Sequence, residues 1–200
     1  MGTVEKPVTR PDVSPSISDA SWDPPVIVTC LKRRFSGVSG TIDALLPVQA
    51  RMRPMGYVGA PLPGVALALK DSPKHFRNLT LRRAIALSAR PLPDGRPRLW
   101  HVRRNQEMLL GIALRDGWRL PVRLVFTSAA IRCHSLFPRQ LIGRMDAVIA
   151  TTPEAARFFP NTAGIVGHGV DTRRFQPPES RDAAWASTGL PGKYGLGIFG

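Results

Sequence analysis

No stretch of the 200 residues is apolar for the roughly 20 positions a membrane-crossing helix needs. Residues Met1 to Pro25 lack an apolar core too. Glu5, Asp12, Asp19 and Asp23 lie there among prolines and serines, which argues against a secretory signal and for a disordered leader over 1–24. Cysteine is scarce. Cys30 and Cys133 have no metal-binding spacing and read as small buried hydrophobes in a reducing cytosol. The loop Ser36 to Thr41 (SGVSGT) is not GxGxxG and no GK[ST] follows it, which disfavours a dinucleotide or ATP site of the familiar kinds there. Acidic residues are few, 14 against 28 Lys and Arg, so the net charge is +14. Such an excess fits an anionic partner (nucleic acid, a membrane surface or a phosphorylated substrate), and equally an arginine-rich chain with solvated faces. A basic nucleic-acid-binding α/β module is the alternative class suggested by a pI near 11.4. Against it, no nucleic-acid motif is present, and the four tryptophans and two tyrosines do not interleave with the arginines as a stacking platform would.

What is present is an alternation of strands and helices. Pro25 to Leu31 (PVIVTCL) is a continuous apolar, β-branched run of the kind that suits a parallel strand buried on both faces. A small-residue loop and a helix from about Thr41 to Arg51 follow. Pro54 to Pro63, punctuated by glycine and proline, reads as loop, and Val65 to Leu69 as a short strand. Ser72 and Pro73 read as the start of a helix running to about Arg90, with Leu81, Ala84, Ile85 and Ser88 on one side and Arg82, Arg83 and Arg90 on the other. Further strands are predicted at Arg98 to Val102, Val122 to Ser128, Asp146 to Thr151 and Ala163 to Gly167. The intervening helices fall at Asn105 to Trp118, about Pro138 to Arg144, and Pro153 to Phe159 behind a Thr152 cap. This spacing predicts a Rossmann-like, three-layer α/β domain with a mainly parallel sheet, spanning 25–178. Residues 179–200 read as a linker, a short helix and a fresh strand, Tyr194 to Gly200, opening a second domain.

Three constellations sit where such a sheet binds ligands. Ser36, Gly37, Val38, Ser39 and Gly40, between the first strand and its helix, let backbone N–H groups approach an anion; a plain tight turn is the competing reading. His101, Arg103, Arg104 and Asn105 follow the carboxyl end of RLWHV, where hydroxyls and anionic oxygens can be bound together, or where the histidine simply packs on the sheet. Thr127 and Ser128, with His134 beyond them, lie at the next strand end and serve as well for caps. From IVGHGVDTRRFQPP neither a hydrolytic triad nor a metal set can be assembled.

That last segment, with GHGVDTRRFQPP at its heart, resembles the stretch closing the amino-terminal domain of family 4 retaining glycosyltransferases of the GT-B fold. KYGLGIFG is similar to the strand that opens their nucleotide-sugar domain. KRRFSGVSGTIDALLPVQ, RLWHVRRNQEMLLGIALRD, RLVFTSAA and RMDAVIATT together resemble bacterial lipopolysaccharide core mannosyltransferases, over about Val26 to Gly200. The resemblance implies transfer of mannose from GDP-mannose to a lipopolysaccharide core or other lipid-linked glycan, with retention, no obligatory metal and no cofactor beyond the nucleotide-sugar substrate. It implies that Ser36 to Gly40 approach the donor phosphates, and that His101, Arg103, Arg104, Asn105, Thr127 and Ser128 face the acceptor. His168, Gly169, Val170 and Asp171 would lie between the domains. Several relatives carry a histidine directly after the strand where Thr127 and Ser128 stand here, so no catalytic residue is assigned. The setting implied is cytoplasmic and peripheral on the inner membrane, with Arg82, Arg83 and Arg90 against anionic headgroups and no nucleic-acid partner. The half expected to hold the donor is missing, so this chain alone is expected to be inactive.

Overall fold

The computed structural model describes residues 22–32, 34–128, 133–169 and 176–191. Its seven described strands are β1 (Val26–Cys30), β2 (Met55–Gly59), β3 (Phe76–Asn78), β4 (Arg98–Val102), β5 (Val122–Ser128), β6 (Ala147–Ala150) and β7 (Thr162–Ile165). They form one sheet in the order β3-β2-β1-β4-β5-β6-β7, every pairing parallel. Between them run α1 (Gly37–Met52), α2 (Pro63–Asp71), α3 (Leu81–Ser88), α4 (Asn105–Ile112), α5 (Leu136–Gly143) and α6 (Pro153–Ala156); α7 (Arg181–Ser187) follows β7. From β1 the chain winds outward through β2 to β3, then crosses back to lay β4 on the other side of β1. That reversal is a topological switch point.

Strand alternation distributes β1 between two cores. Val28 and Cys30 pack with Ile42, Leu46 and Ala50 of α1 and with Val65 and Ala68 of α2. Ile27 belongs to the opposite cluster, where Trp100, Val102, Leu124 and Phe126 meet Ala84 of α3, Met108 and Ile112 of α4, and Leu141 and Ile142 of α5. The predicted three-layer architecture is therefore present, and an apolar run without alternation is what a doubly covered strand requires. At the amino end of β4, Arg98 is 1% exposed. It donates to the carbonyls of Pro24 (3.0 Å) and Leu87 (2.5 Å) and pairs with Asp23, so a buried cation ties the entry of β1 to the end of α3.

Close approaches hold α1 to α2. Pro47 lies inside α1 and lacks the N–H that would bond the Asp43 carbonyl. Gly64 packs against that carbonyl and donates its own N–H to Asp43 Oδ1 at 2.5 Å; a Cβ at Gly64 would stand 2.0 Å from the Asp43 oxygen.

Most predicted strands recur within a residue or two, but four expectations are corrected. The segment 54–63 is not all loop, because Met55–Gly59 pairs along β1. Val65 to Leu69 lie in α2, whose start Pro63 presets. No helix begins at Ser72: its carbonyl accepts from His75 and Phe76, β3 follows, and α3 starts only at Leu81, capped by Thr80 Oγ1 accepting from Arg83 N. Lys74 thus lies in a turn, Arg77 on β3, and Arg90 beyond the helix end. Finally, Cys133 is exposed; only Cys30 is the buried thiol expected. The predicted leader except residues 22–24, and the strand Tyr194 to Gly200, lie outside the described residues.

Candidate functional site at the switch point

The crevice is built from the exits of β1 and β4. These strands pair in register only as far as Val28 with His101. Beyond that point the carboxylate of Glu107, on the first turn of α4, joins them. Its Oε1 accepts from Leu31 N at 3.0 Å, and its Oε2 from Arg103 N at 2.8 Å and from Thr29 Oγ1 at 3.2 Å. The Thr29 hydroxyl has a second acceptor at the same 3.2 Å, the His101 carbonyl. Glu107 is 1% exposed. Burial pushes its carboxyl above the ordinary range, while the Arg103 and Leu31 N–H groups, the Thr29 hydroxyl and the Arg104 charge pull it back. A sequence reader sees in Glu107 only an acidic residue in a helix's first turn, a common capping position. Nothing local says that it reaches another strand.

The small-residue segment predicted as a loop is a helix start. Ser36 is the N-cap of α1, its Oγ accepting from Ser39 N at 3.5 Å, and Gly37 to Gly40 form the first turn. The helix therefore begins four residues earlier than expected, and the amino ends of its dipole and N–H groups meet the crevice directly. A side chain at Gly37 would meet no atom within 4 Å, so the approach to that end is open. Across the crevice Arg104 Nη2 donates to Ser36 Oγ at 2.5 Å. The Nε atoms of Arg103 and Arg104 are shielded and have no acceptor among the described residues. Burial lowers the Arg103 guanidinium below its ordinary value, against the pull of Glu107. The result is a compact cationic wall beside a helix N-terminus, an arrangement suited to phosphate oxygens.

Other predicted residues are distributed less simply. His101 is buried and its Nε2 lies 2.7 Å from Thr127 Oγ1; burial and then the Arg103 charge push its imidazole down to about 3. It is neutral in the physiological range and already partnered, the packed role rather than the free one. Ser128 follows Thr127 on the strand and so faces the opposite side of the sheet, where it is buried. Asn105 is exposed at the start of α4. His134 stacks at a tilt on Phe159, ring centroids 6.0 Å apart. His168 and Gly169 are exposed coil after β7, and Val170 and Asp171 lie outside the described residues. Arg82 and Arg83 are exposed on α3, and Arg90 is exposed beyond it. Sequence reasoning missed a groove of about 850 Å³ beyond the ends of β1, β2 and β3, lined by Leu31, Gly59, Pro61, Asn78, Leu79 and Thr80. Gly59 is required at its floor, since a Cβ there would stand 2.3 Å from the Cys30 carbonyl.

No protein-family model matches the chain. It is 42% identical over 179 residues to the lipopolysaccharide core biosynthesis mannosyltransferase LpcC of Rhizobium leguminosarum bv. viciae, and 45% identical over 183 residues to LpsB, of the same description, from Rhizobium meliloti strain 1021. Each match covers 89% of this chain and 48% of the relative, so the chain spans about half the length of the curated relatives it matches, their amino-terminal half. In fold it is similar to Anabaena Alr3699/HepE, solved with UDP-glucose (TM-score 0.54) and with UDP and glucose (TM-score 0.55). Both are 11% identical to this chain, covering 82% of it and 49% and 50% of the solved chains.

Proposed function

We propose, on the premise that this chain is a relative of the lipopolysaccharide core mannosyltransferases over their amino-terminal half, that it supplies the acceptor-side domain of a retaining family 4 glycosyltransferase. The reaction is transfer of mannose from GDP-mannose to a lipid-linked core glycan, with no cofactor beyond the nucleotide sugar. The observation that carries the proposal is the 42–45% identity over 89% of the chain. Ser36 and the first turn of α1, with Arg104 drawn against it, meet the donor diphosphate from across an interdomain cleft. Arg103, Asn105 and the neighbouring groove face the acceptor. His101 and Thr127 shape the floor, the histidine being neutral and bonded within the domain. The segment from His168 to Asp171 leads toward the donor-binding half. The enzyme works at the cytoplasmic face of the inner membrane, held there by basic side chains.

Departure of the nucleoside diphosphate needs donors and cations around the developing charge, and one wall of the cleft does not surround it. The chain alone is therefore inert. The test is a fusion of residues 1–200 to the remaining half of LpcC, given GDP-mannose and a truncated lipopolysaccharide core. The fusion should transfer mannose with retained anomeric configuration, and the 200-residue chain should not exceed the buffer control. A folded fusion inert with GDP-mannose and with other nucleotide sugars refutes the proposal.

A further inference from the structure

We propose that Glu107 is a positioning residue whose carboxylate holds the exits of β1 and β4 at the separation at which Ser36 and Arg104 meet. The backbone ladder between these strands stops at Val28 and His101. Past it the chains diverge, β1 toward α1 and β4 toward α4, and each presents an N–H to the gap: Leu31 and Arg103. Two N–H groups facing one another cannot pair. They need a shared acceptor, and Glu107 supplies one oxygen to each, at 3.0 and 2.8 Å, with the Thr29 hydroxyl on the second oxygen at 3.2 Å. Leu31 opens the connection to Ser36, and Arg103 is bonded to Arg104. Of the two partners of the 2.5 Å contact that closes the crevice, Arg104 is thus bonded directly to a residue this carboxylate grips, and Ser36 follows Leu31 by five residues. At 1% exposure Glu107 touches no ligand; it acts through Ser36 and Arg104.

Glutamine would keep the volume and lose the pattern, because an amide offers one acceptor oxygen and turns its NH₂ toward a donor. The inference rests on the reading of Ser36 and Arg104 as phosphate contacts, and the test separates the two. Inorganic pyrophosphate is titrated into the ¹⁵N-labelled chain, following the amides of Leu31, Gly37, Arg103 and Arg104. The native chain should show saturable shifts at Gly37 and Arg104. Glu107→Gln should weaken pyrophosphate binding about tenfold, the equivalent of one charge-assisted hydrogen bond, and move the Leu31 and Arg103 amide protons upfield. Thr29→Val, which leaves the carboxylate in place, should weaken it about two- to threefold by the same arithmetic. Ile142→Val, a core change on α5, should lower stability and leave pyrophosphate affinity unaltered. If the native chain binds no pyrophosphate, the phosphate reading fails and the positioning role with it. If the native chain binds and the variants bind equally well, or Ile142→Val weakens binding as much as they do, the positioning role alone is overturned. Should Glu107→Gln not fold, Thr29→Val decides: native affinity with unmoved Leu31 and Arg103 amides overturns the proposal.

Discussion

At the scale of single residues, the site is governed by which polar groups are buried and what they meet. His101 illustrates it. Unfolded, its imidazole protonates near 6.5; folded, burial and the Arg103 charge hold it down at about 3. Between those values the unfolded chain binds a proton that the folded chain does not, so stability falls as the pH drops below about 6.5, with a limiting slope of about 1.4 kcal/mol per pH unit for one proton. Above 6.5 the group contributes no pH dependence. Thermal unfolding at pH 5 and pH 7.5 checks this: the native chain should lose more stability on acidification than His101→Asn does. Equal losses would assign the acid sensitivity elsewhere. The sequence placed His101, Arg103 and Arg104 correctly at a strand's carboxyl end, since that follows from a local apolar run and its break. It did not separate the packed histidine from the arginines facing the crevice, because alternation across β4 and the partner Thr127 decide that.

At the scale of elements, the mistakes share one cause. MGYVG lies in the stretch 54–63 that reads as loop because glycine and proline punctuate it, yet it is an inner strand paired with β1 on one side and β3 on the other. Its backbone pairings outweigh a weak local preference. VALAL reads as a short strand, yet Pro63 before it and Asp43, accepting from Gly64, make it helix. The same contact predicts that Gly64→Ala is costly. Its Cβ would stand 2.0 Å from a main-chain oxygen, so α1 and α2 must part, at about 2–3 kcal/mol. Urea unfolding measures the loss; a shift below 0.5 kcal/mol would mean the helices separate freely. The end of α4 shows another element-level event. Trp118 N bonds to Ala113 O in a π-helical extension, Ala113–Gly117, before Arg119 turns at a φ of 54°. The predicted single helix Asn105 to Trp118 covers both pieces.

At the scale of the whole molecule, charge is the dominant property. A net +14 on 200 residues gives a basic surface, and no described helix is long and apolar enough to cross a membrane. Arg82 and Arg83 on α3 and Arg90 beyond it stand exposed on a short helix whose Ala84 and Ser88 are buried. The apolar side is therefore packed on the domain, and attraction to a bilayer would be through headgroups, at about 1 kcal/mol per basic residue. Sedimentation with vesicles tests this. Binding should require anionic lipid, fall steeply with salt, and weaken when Arg82, Arg83 and Arg90 become glutamine. Equal binding to neutral vesicles, or an unaltered triple variant, would remove α3 as the docking surface.

The division between what sequence and tertiary structure decide is one of distance along the chain. Runs such as VIVTC, RLWHV and VRLVFTS carry enough β-branched and apolar residues, between clear breakers, to declare buried parallel strands on their own. A family likeness spread over many short motifs is legible for the same reason. The contacts that make the site are not local. Arg104 meets Ser36 across 68 residues and Glu107 meets Leu31 across 76. Their meeting depends on β1 and β4 being neighbours, which the crossover back from β3 settles. Only the folded sheet brings a helix's first-turn glutamate under two strand exits, and only there do two arginines become one wall of a cleft.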